Sequence, residues 1–206
     1  MGKASFVRSA GLVSACTLLS RILGFVRDML CARYFGASPQ WDAFSVAFRT
    51  PNLFRRLFGE GALTAAFLPV FVERLDGGRT EEAHALLNRL ATALAIFLGL
   101  LAAIGIGLTY CLPQDENTSQ MAPLLRIMLP YLPLICVAAI LSAALNGMRS
   151  YFAPAFAPVV VNVVLIAALF PWWRDIHTQA WAVAIGGVVT ILFLAPPLFA
   201  RSMPVR

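Results

Sequence analysis

Charge is what this sequence has least of. Only 13% of its 206 residues are Asp, Glu, Lys or Arg, where a soluble domain carries about 25%. So few charges cannot clothe a water-soluble fold of this size. Lysine is nearly missing: Lys3 stands alone, and the other fifteen of sixteen cations are arginine. Cysteine is scarce and unpatterned. Cys16, Cys31, Cys111 and Cys136 form no CxxC pair and no metal-ligand spacing, which argues against a disulfide scaffold or zinc module. Three of them lie in apolar runs and read as small hydrophobes. His84 and His177 are too far apart in the chain to suggest a site. No GxxxxGK[ST], HExxH or GxSxG motif occurs, so ATP as a direct energy source and hydrolytic catalysis both lack support. Neither an enzyme nor a cofactor is expected.

What is present is hydrophobic. Sixty per cent of the residues are apolar and the mean hydropathy is +0.78, values that point to an integral membrane protein. The net charge of +6 and pI near 9.7 would suggest nucleic acid in a soluble chain. Here the cations instead orient loops or sit within the membrane, and no nucleic-acid partner is expected.

Four long stretches contain no charged residue: Leu90–Gln114, Ile127–Met148, Ser150–Trp173 and Ile176–Ala200. Each can span ~30 Å of hydrocarbon at ~1.5 Å per residue. Prolines and polar breaks place helices at about 90–112, 124–147, 155–172 and 180–200. Two charged but hydrophobic segments, about 10–34 and 41–72, complete an all-α bundle of six transmembrane helices forming a single unit over residues 1–206. The first is not read as a cleaved signal peptide. The uninterrupted apolar stretch from Ser9 to Ala15 is too short for an h-region, and the apolar run continues past Cys16. With cytoplasmic termini, the inner side carries Lys3, Arg8, Arg74, Arg79, Arg89, Arg149, Arg201 and Arg206, against Arg33, Arg126 and Arg174 outside. That bias predicts both termini in the cytoplasm.

Arg21, Arg27, Asp28, Arg49, Arg55 and Arg56 fall inside candidate spans, where each charge costs ~2.5–3.5 kcal/mol on insertion scales. They must face one another, a bundle interior or a water-filled cavity. Internal salt bridges are one reading: Asp28 can neutralise one arginine, and Glu60 lies one turn from Arg56. Yet five arginines face two carboxylates, and adding Asp42 still leaves the set net positive. The surplus favours an anion-binding cavity. A guanidinium is planar, permanently charged and able to bond two oxygens at once, which suits phosphate or pyrophosphate. Arg21, Gly24 and Asp28 share a helical face, and Asp42, Arg49 and Arg56 recur at intervals of seven. Pro51 is expected to interrupt the second of these helices.

The run Ser20-Arg21-Ile22-Leu23-Gly24-Phe25-Val26-Arg27-Asp28 is followed by Phe35-Gly36, Asp42-Ala43-Phe44 and Ala47-Phe48-Arg49-Thr50-Pro51-Asn52-Leu53-Phe54-Arg55-Arg56-Leu57-Phe58. Glu60-Gly61-Ala62-Leu63 and Ala66-Phe67-Leu68-Pro69-Val70-Phe71 come next. The pattern resembles the N-terminal region of the MurJ (MviN) family of lipid II flippases, within the multidrug/oligosaccharidyl-lipid/polysaccharide exporter superfamily. It is dense over residues 5–75, and Pro154, Pro158 and Asn162 agree more loosely. The resemblance implies a multi-pass protein of the bacterial cytoplasmic (inner) membrane. Its expected task is to move the undecaprenyl-pyrophosphate-linked peptidoglycan precursor, lipid II, from the cytoplasmic to the periplasmic leaflet by alternating access, for cell-wall biogenesis. It implies substrate-binding roles for Arg21, Arg27 and Arg55, and supporting or gating roles for Asp28, Asp42, Arg49, Arg56 and Glu60. Arg49 stands where some members have Lys. Members of the family have two lobes, and this chain corresponds to the first. Besides lipid II and membrane lipids, the expected partner is therefore a second transporter lobe or another copy of the chain. Two other readings are an exporter of a different lipid-linked oligosaccharide and a non-transporting scaffold for cell-wall assembly.

Overall fold

The computed structural model describes residues 3–54, 61–113, 115–170 and 175–202, and every regular element among them is an α-helix. There are eight: α1 (Lys3–Phe35), α2 (Pro39–Phe54), α3 (Ala62–Asp76), α4 (Thr80–Thr109), α5 (Glu116–Met128), α6 (Tyr131–Gly147), α7 (Phe152–Ala167) and α8 (Ile176–Ser202). The all-α transmembrane class expected from the sequence holds, but the count of six does not.

Two of the expected helices are divided. The segment 41–72 is α2 and α3, whose junction lies outside the described residues. Pro51 does not end α2, which continues to Phe54. The segment 124–147 breaks at Leu129-Pro130 into α5 and α6, which meet at 41°. Neither Pro130 nor Pro133 has an N–H, so Arg126 and Leu129 lose their ordinary helical donors. The chain tightens there instead, with the Leu132 N–H donating to Leu129 O at 3.0 Å. Boundaries shift as well. α4 begins at Thr80 rather than near 90, because its polar first turns, with Glu81 and Glu82 at the positive end of the dipole, are helical without being apolar. α7 starts three residues early and stops at Ala167. By length and composition, Ala10–Phe35, α4 and α8 can each cross a membrane, and the bent α5–α6 pair is long and apolar enough for a fourth crossing if its two helices form one span. At 16 residues, α7 is ~24 Å long, short of the hydrocarbon thickness.

Lipid offers no hydrophobic drive for helices to associate, so close packing of small residues does that work. α6 is the centre, in contact with α2, α3, α4, α7 and α8. Its Ala138, Ala143 and Ala144 are buried beside Ile140 and Leu145. A Cβ at Gly187 of α8 would come within 2.7 Å of the Tyr131 ring, and one at Gly147 within 3.1 Å of Leu68. On α4, Leu87, Leu94, Leu98 and Ala102 face the bundle, while Ile96, Leu100, Ile104 and Leu108 form an outward stripe. Both stripes are apolar, as a helix between protein and lipid requires. α1 packs chiefly on α7 and leaves Leu12, Leu19, Ile22, Phe25 and Met29 uncovered.

The loop ends are built from specific caps. Asp115 caps α5 by accepting the Thr118 N–H at 3.0 Å. Bonds from the Thr118 hydroxyl and N–H hold its carboxyl below the usual range. α3 and α6 end in the same motif, in which the chain reverses through one left-handed residue. Arg79 N–H donates to Arg74 O past Gly78 (φ 74°), and Ser150 N–H donates to Leu145 O past Arg149 (φ 59°). Glycine suits that conformation and arginine does not. Arg149→Gly should therefore raise stability by ~0.5–1 kcal/mol and Gly78→Ala should lower it by a similar amount. Thermal unfolding of the purified chain in detergent checks both signs, and a drop in melting temperature for Arg149→Gly would refute the assignment.

Candidate functional site

Because α1 leans on α7 and stands apart from most of the bundle, it encloses space between itself and α2, α3, α6, α7 and α8. The result is a cavity of about 830 Å³. Its wall is mainly apolar, set by Ile135, Ala138, Ala139, Ala143, Pro154 and Pro158. Polar groups interrupt it at Asn52, Thr64, Ser142, Asn146, Tyr151, Asn162 and Thr190, and among the described residues Arg27 is the one cation of the lining. A second cavity of about 320 Å³ lies toward α2, lined by Arg27, Asp28, Cys31, Trp41, Phe44, Ser45, Phe48, Arg49, Leu165 and Gln179. Arg27 belongs to both walls.

The guanidinium of Arg27 is tied on two sides. Its Nε and Nη2 donate to Oδ1 of Asp28 at 3.0 and 2.8 Å, and its Nη1 donates to Oδ1 of Asn162 on α7 at 2.9 Å. The Asn162 amide donates in turn to the Ser20 carbonyl at 3.1 Å. Ser20, Gly24 and Arg27 follow i, i+4, i+7 spacing and so form one face of α1. The Asn162 amide lies close over Gly24: a Cβ there would sit in ordinary contact, 3.8 Å from Asn162 Nδ2. The two charges of the pair differ in environment. The side chain of Arg27 is 23% exposed and that of Asp28 is 64% exposed, so the carboxylate stands at the outer edge while the cation is drawn into the wall.

The other residues singled out from sequence are not all brought to this point. Arg21 is exposed on α1 and lines neither cavity. Asp42, in the first turn of α2, is exposed and outside both linings. Arg49 is exposed on α2 and reaches the wall of the smaller cavity. Arg55, Arg56 and Glu60 lie outside the described residues. The expected face of Arg21, Gly24 and Asp28 is the outward one for its two charged members, and Arg27, about 120° from Arg21, is the residue turned to the interior.

Several contributors went unnoticed in the sequence. Asn162 carried only a loose family match, yet it is the residue that ties α1 to α7. Gln179 is 2% exposed, lines the smaller cavity and donates weakly to Leu165 O at 3.5 Å. A row of stacked rings, Phe35–Trp41–Phe44–Phe48, runs from the end of α1 along α2, with centroids 5.2–6.0 Å apart. The available signal was polarity in the wrong place: Ser142, Asn146, Asn162, Gln179 and Thr190 all interrupt charge-free apolar runs, where a polar side chain needs a partner or a cavity. Among the described residues no group of three or more His, Cys, Asp or Glu is placed to hold a metal ion.

Comparison with known proteins gives concordant results. A family profile described as "Lipid II flippase MurJ" matches residues 31–206. The lipid II flippase MurJ of Burkholderia cenocepacia is 41% identical over 199 residues, covering 90% of this chain and 39% of that protein. A probable lipid II flippase MurJ from Buchnera aphidicola (subspecies Acyrthosiphon pisum) is 37% identical over 204 residues, covering 93% and 40%. A solved structure of lipid II flippase MurJ in an inward closed conformation superposes with a TM-score of 0.75 at 27% identity, covering 94% of this chain and 42% of that one. The chain thus spans about two-fifths of the length of the relatives it matches.

Proposed function

Since the chain belongs to the lipid II flippase MurJ family, we propose that it contributes one lobe of a flippase. That flippase moves the undecaprenyl-pyrophosphate-linked peptidoglycan precursor from the cytoplasmic to the periplasmic leaflet of a bacterial inner membrane. The observation that carries the proposal is Arg27: a guanidinium in the wall of a mainly apolar cavity of about 830 Å³. Such a cavity suits an amphipathic cargo, with apolar wall for apolar surface and a cation for a phosphate oxygen. The movement makes and breaks no bond, and no cofactor enters it. Arg21 and Arg55 join Arg27 as substrate-binding residues in this reading, with Asp28, Asp42, Arg49, Arg56 and Glu60 supporting or gating. Each of Arg21→Ala, Arg27→Ala and Arg55→Ala should weaken binding of lipid II to the purified protein at least about tenfold, the worth of one charge-assisted hydrogen bond. Arg→Lys should restore only part, because an ammonium keeps the charge and loses the fork. Alanine variants that bind lipid II like wild type would overturn the site. Equal binding of another lipid-linked oligosaccharide would shift the reading to a broader exporter, and lack of any such binding to a scaffold.

The outward charges need a cover. Arg21, Asp28 and Arg49 are exposed on α1 and α2, and a bare charge against hydrocarbon costs several kcal/mol. We therefore place a second body, a further transporter lobe or another copy of this chain, over that face, as alternating access about a midplane site requires. Bifunctional cross-linking in membranes from single cysteines at positions 21 and 28 should trap it. Quenching of probes at those positions by lipid-borne nitroxides, with no cross-link formed, would contradict the cover.

Orientation is checked by a native residue. Cys111, in the α4–α5 loop, is exposed, whereas Cys16, Cys31 and Cys136 are buried. With cytoplasmic termini, the charge bias set out above and α2–α3 taken together as one crossing between α1 and α4, that loop is periplasmic. A membrane-impermeant maleimide added to intact cells should label the wild-type chain and not Cys111→Ser. Labelling that appears only after the inner membrane is opened would invert the topology.

A further inference from the structure

Arg27 has more donors than its two partners use. A guanidinium offers five N–H bonds and accepts none. Asp28 Oδ1 takes one from Nε and one from Nη2, and Asn162 Oδ1 takes one from Nη1. Among the described residues, one N–H on Nη1 and one on Nη2 are left over, on a side chain that lines both cavities. A planar fork is useful to an oxyanion only if its plane is held, since each rotation of the side chain moves both donors together. Asp28 alone cannot hold it. It is the next residue on the same helix, its side chain is largely exposed, and a single oxygen serves both of its bonds.

The geometry points to Asn162 as the positioning residue for Arg27. Asn162 is buried, 8% exposed, and comes from a different helix. Its amide binds α1 twice: the oxygen accepts from Arg27 and the NH₂ donates to the backbone carbonyl of Ser20, two turns earlier. Between these contacts the amide lies against the helix surface at Gly24. One rigid planar group thus references the guanidinium to the α1 backbone, so that the orientation of Arg27 is set by where α1 sits on α7. The choice of an amide has a chemical reason. A carboxylate at this position would also accept from Arg27, but with Asp28 it would place two negative charges on one cation and repel an incoming anion. A neutral acceptor orients without cancelling the charge.

This inference rests on the pyrophosphate reading of Arg27, and its test separates the two. The probe is undecaprenyl pyrophosphate in detergent micelles, titrated against the purified chain, with a thermal melt on every variant. Asn162→Ala should weaken binding about tenfold, the worth of a hydrogen bond to a charged group. Asn162→Asp should bind more weakly than Asn162→Ala, because it keeps the link to Arg27 and adds the wrong charge, while giving up the bond to the Ser20 carbonyl. In an Arg27→Ala background, Asn162→Ala should change affinity by less than about twofold, since a residue acting through Arg27 has nothing left to position. Additive losses, or Asn162→Asp binding like wild type, would show that Asn162 only clasps two helices and would overturn the inference. If the wild-type chain shows no saturable binding, or Arg27→Ala changes nothing, the pyrophosphate reading fails instead. The positioning role is then decided by ¹⁵N NMR of the arginine side chains. Rotation about the Cζ–Nη1 bond of Arg27 should quicken in Asn162→Ala, and an unchanged rate would refute the role.

Discussion

A guanidinium cannot shed its charge at any physiological pH, so a helix that carries one into an apolar bundle must bring the solution with it. Much of the arrangement around α1 follows from that constraint at Arg27. Asp28 supplies the opposite charge from the next position. Asn162 supplies a neutral acceptor from across the helix interface. α1 is otherwise poorly held, with most of its large apolar side chains uncovered. The polar contact with α7 therefore sits in the main interface that fastens this helix. A residue that holds a charge in place and a contact that holds a helix in place are here the same group.

The remainder of the bundle is organised by closeness of approach. Alanine and glycine on α6 and α8 allow contacts that any Cβ at Gly187 or Gly147 would obstruct, and dispersion over these short distances replaces the hydrophobic drive that lipid removes. The tight half, α3, α4, α6 and α8, carries the larger core cluster. The loose half, where α1 and α2 meet α7, carries the charges and the space. A cavity forms on this side because charged and polar groups at Arg27, Asn52 and Asn146 oppose complete closure by apolar packing. The proposed transport function uses that same incompatibility, since cargo with a charged head and an apolar tail requires a space of this kind.

The fold class was legible in the residues. Runs without charge longer than the bilayer is thick admit no structure but helices in lipid, because each N–H and C=O must be satisfied within its own segment. Arginines within the two other hydrophobic segments, 10–34 and 41–72, announce a cavity or a partner. The helix count was less legible. A split such as Leu129-Pro130 depends on whether neighbours accommodate a bend of 41°, and Pro51 shows the opposite outcome, a proline carried inside α2. The polar start of α4 was hidden for a different reason: hydropathy marks where a helix meets lipid, not where its hydrogen bonds begin.

Within the site, the sequence by itself determined which groups had to be dealt with, and tertiary structure decided how. Periodicity placed Arg21 and Arg27 about 120° apart on α1, but it could not say which of them faces inward. That depends on α7, more than a hundred residues away in the chain. Asn162 looked like one polar residue in a valine-rich helix, and its importance came from standing opposite Gly24 and Arg27. Composition and spacing are local properties, so they specify charge, length and face. Pairing between helices is a property of how two surfaces meet, and only packing supplies it.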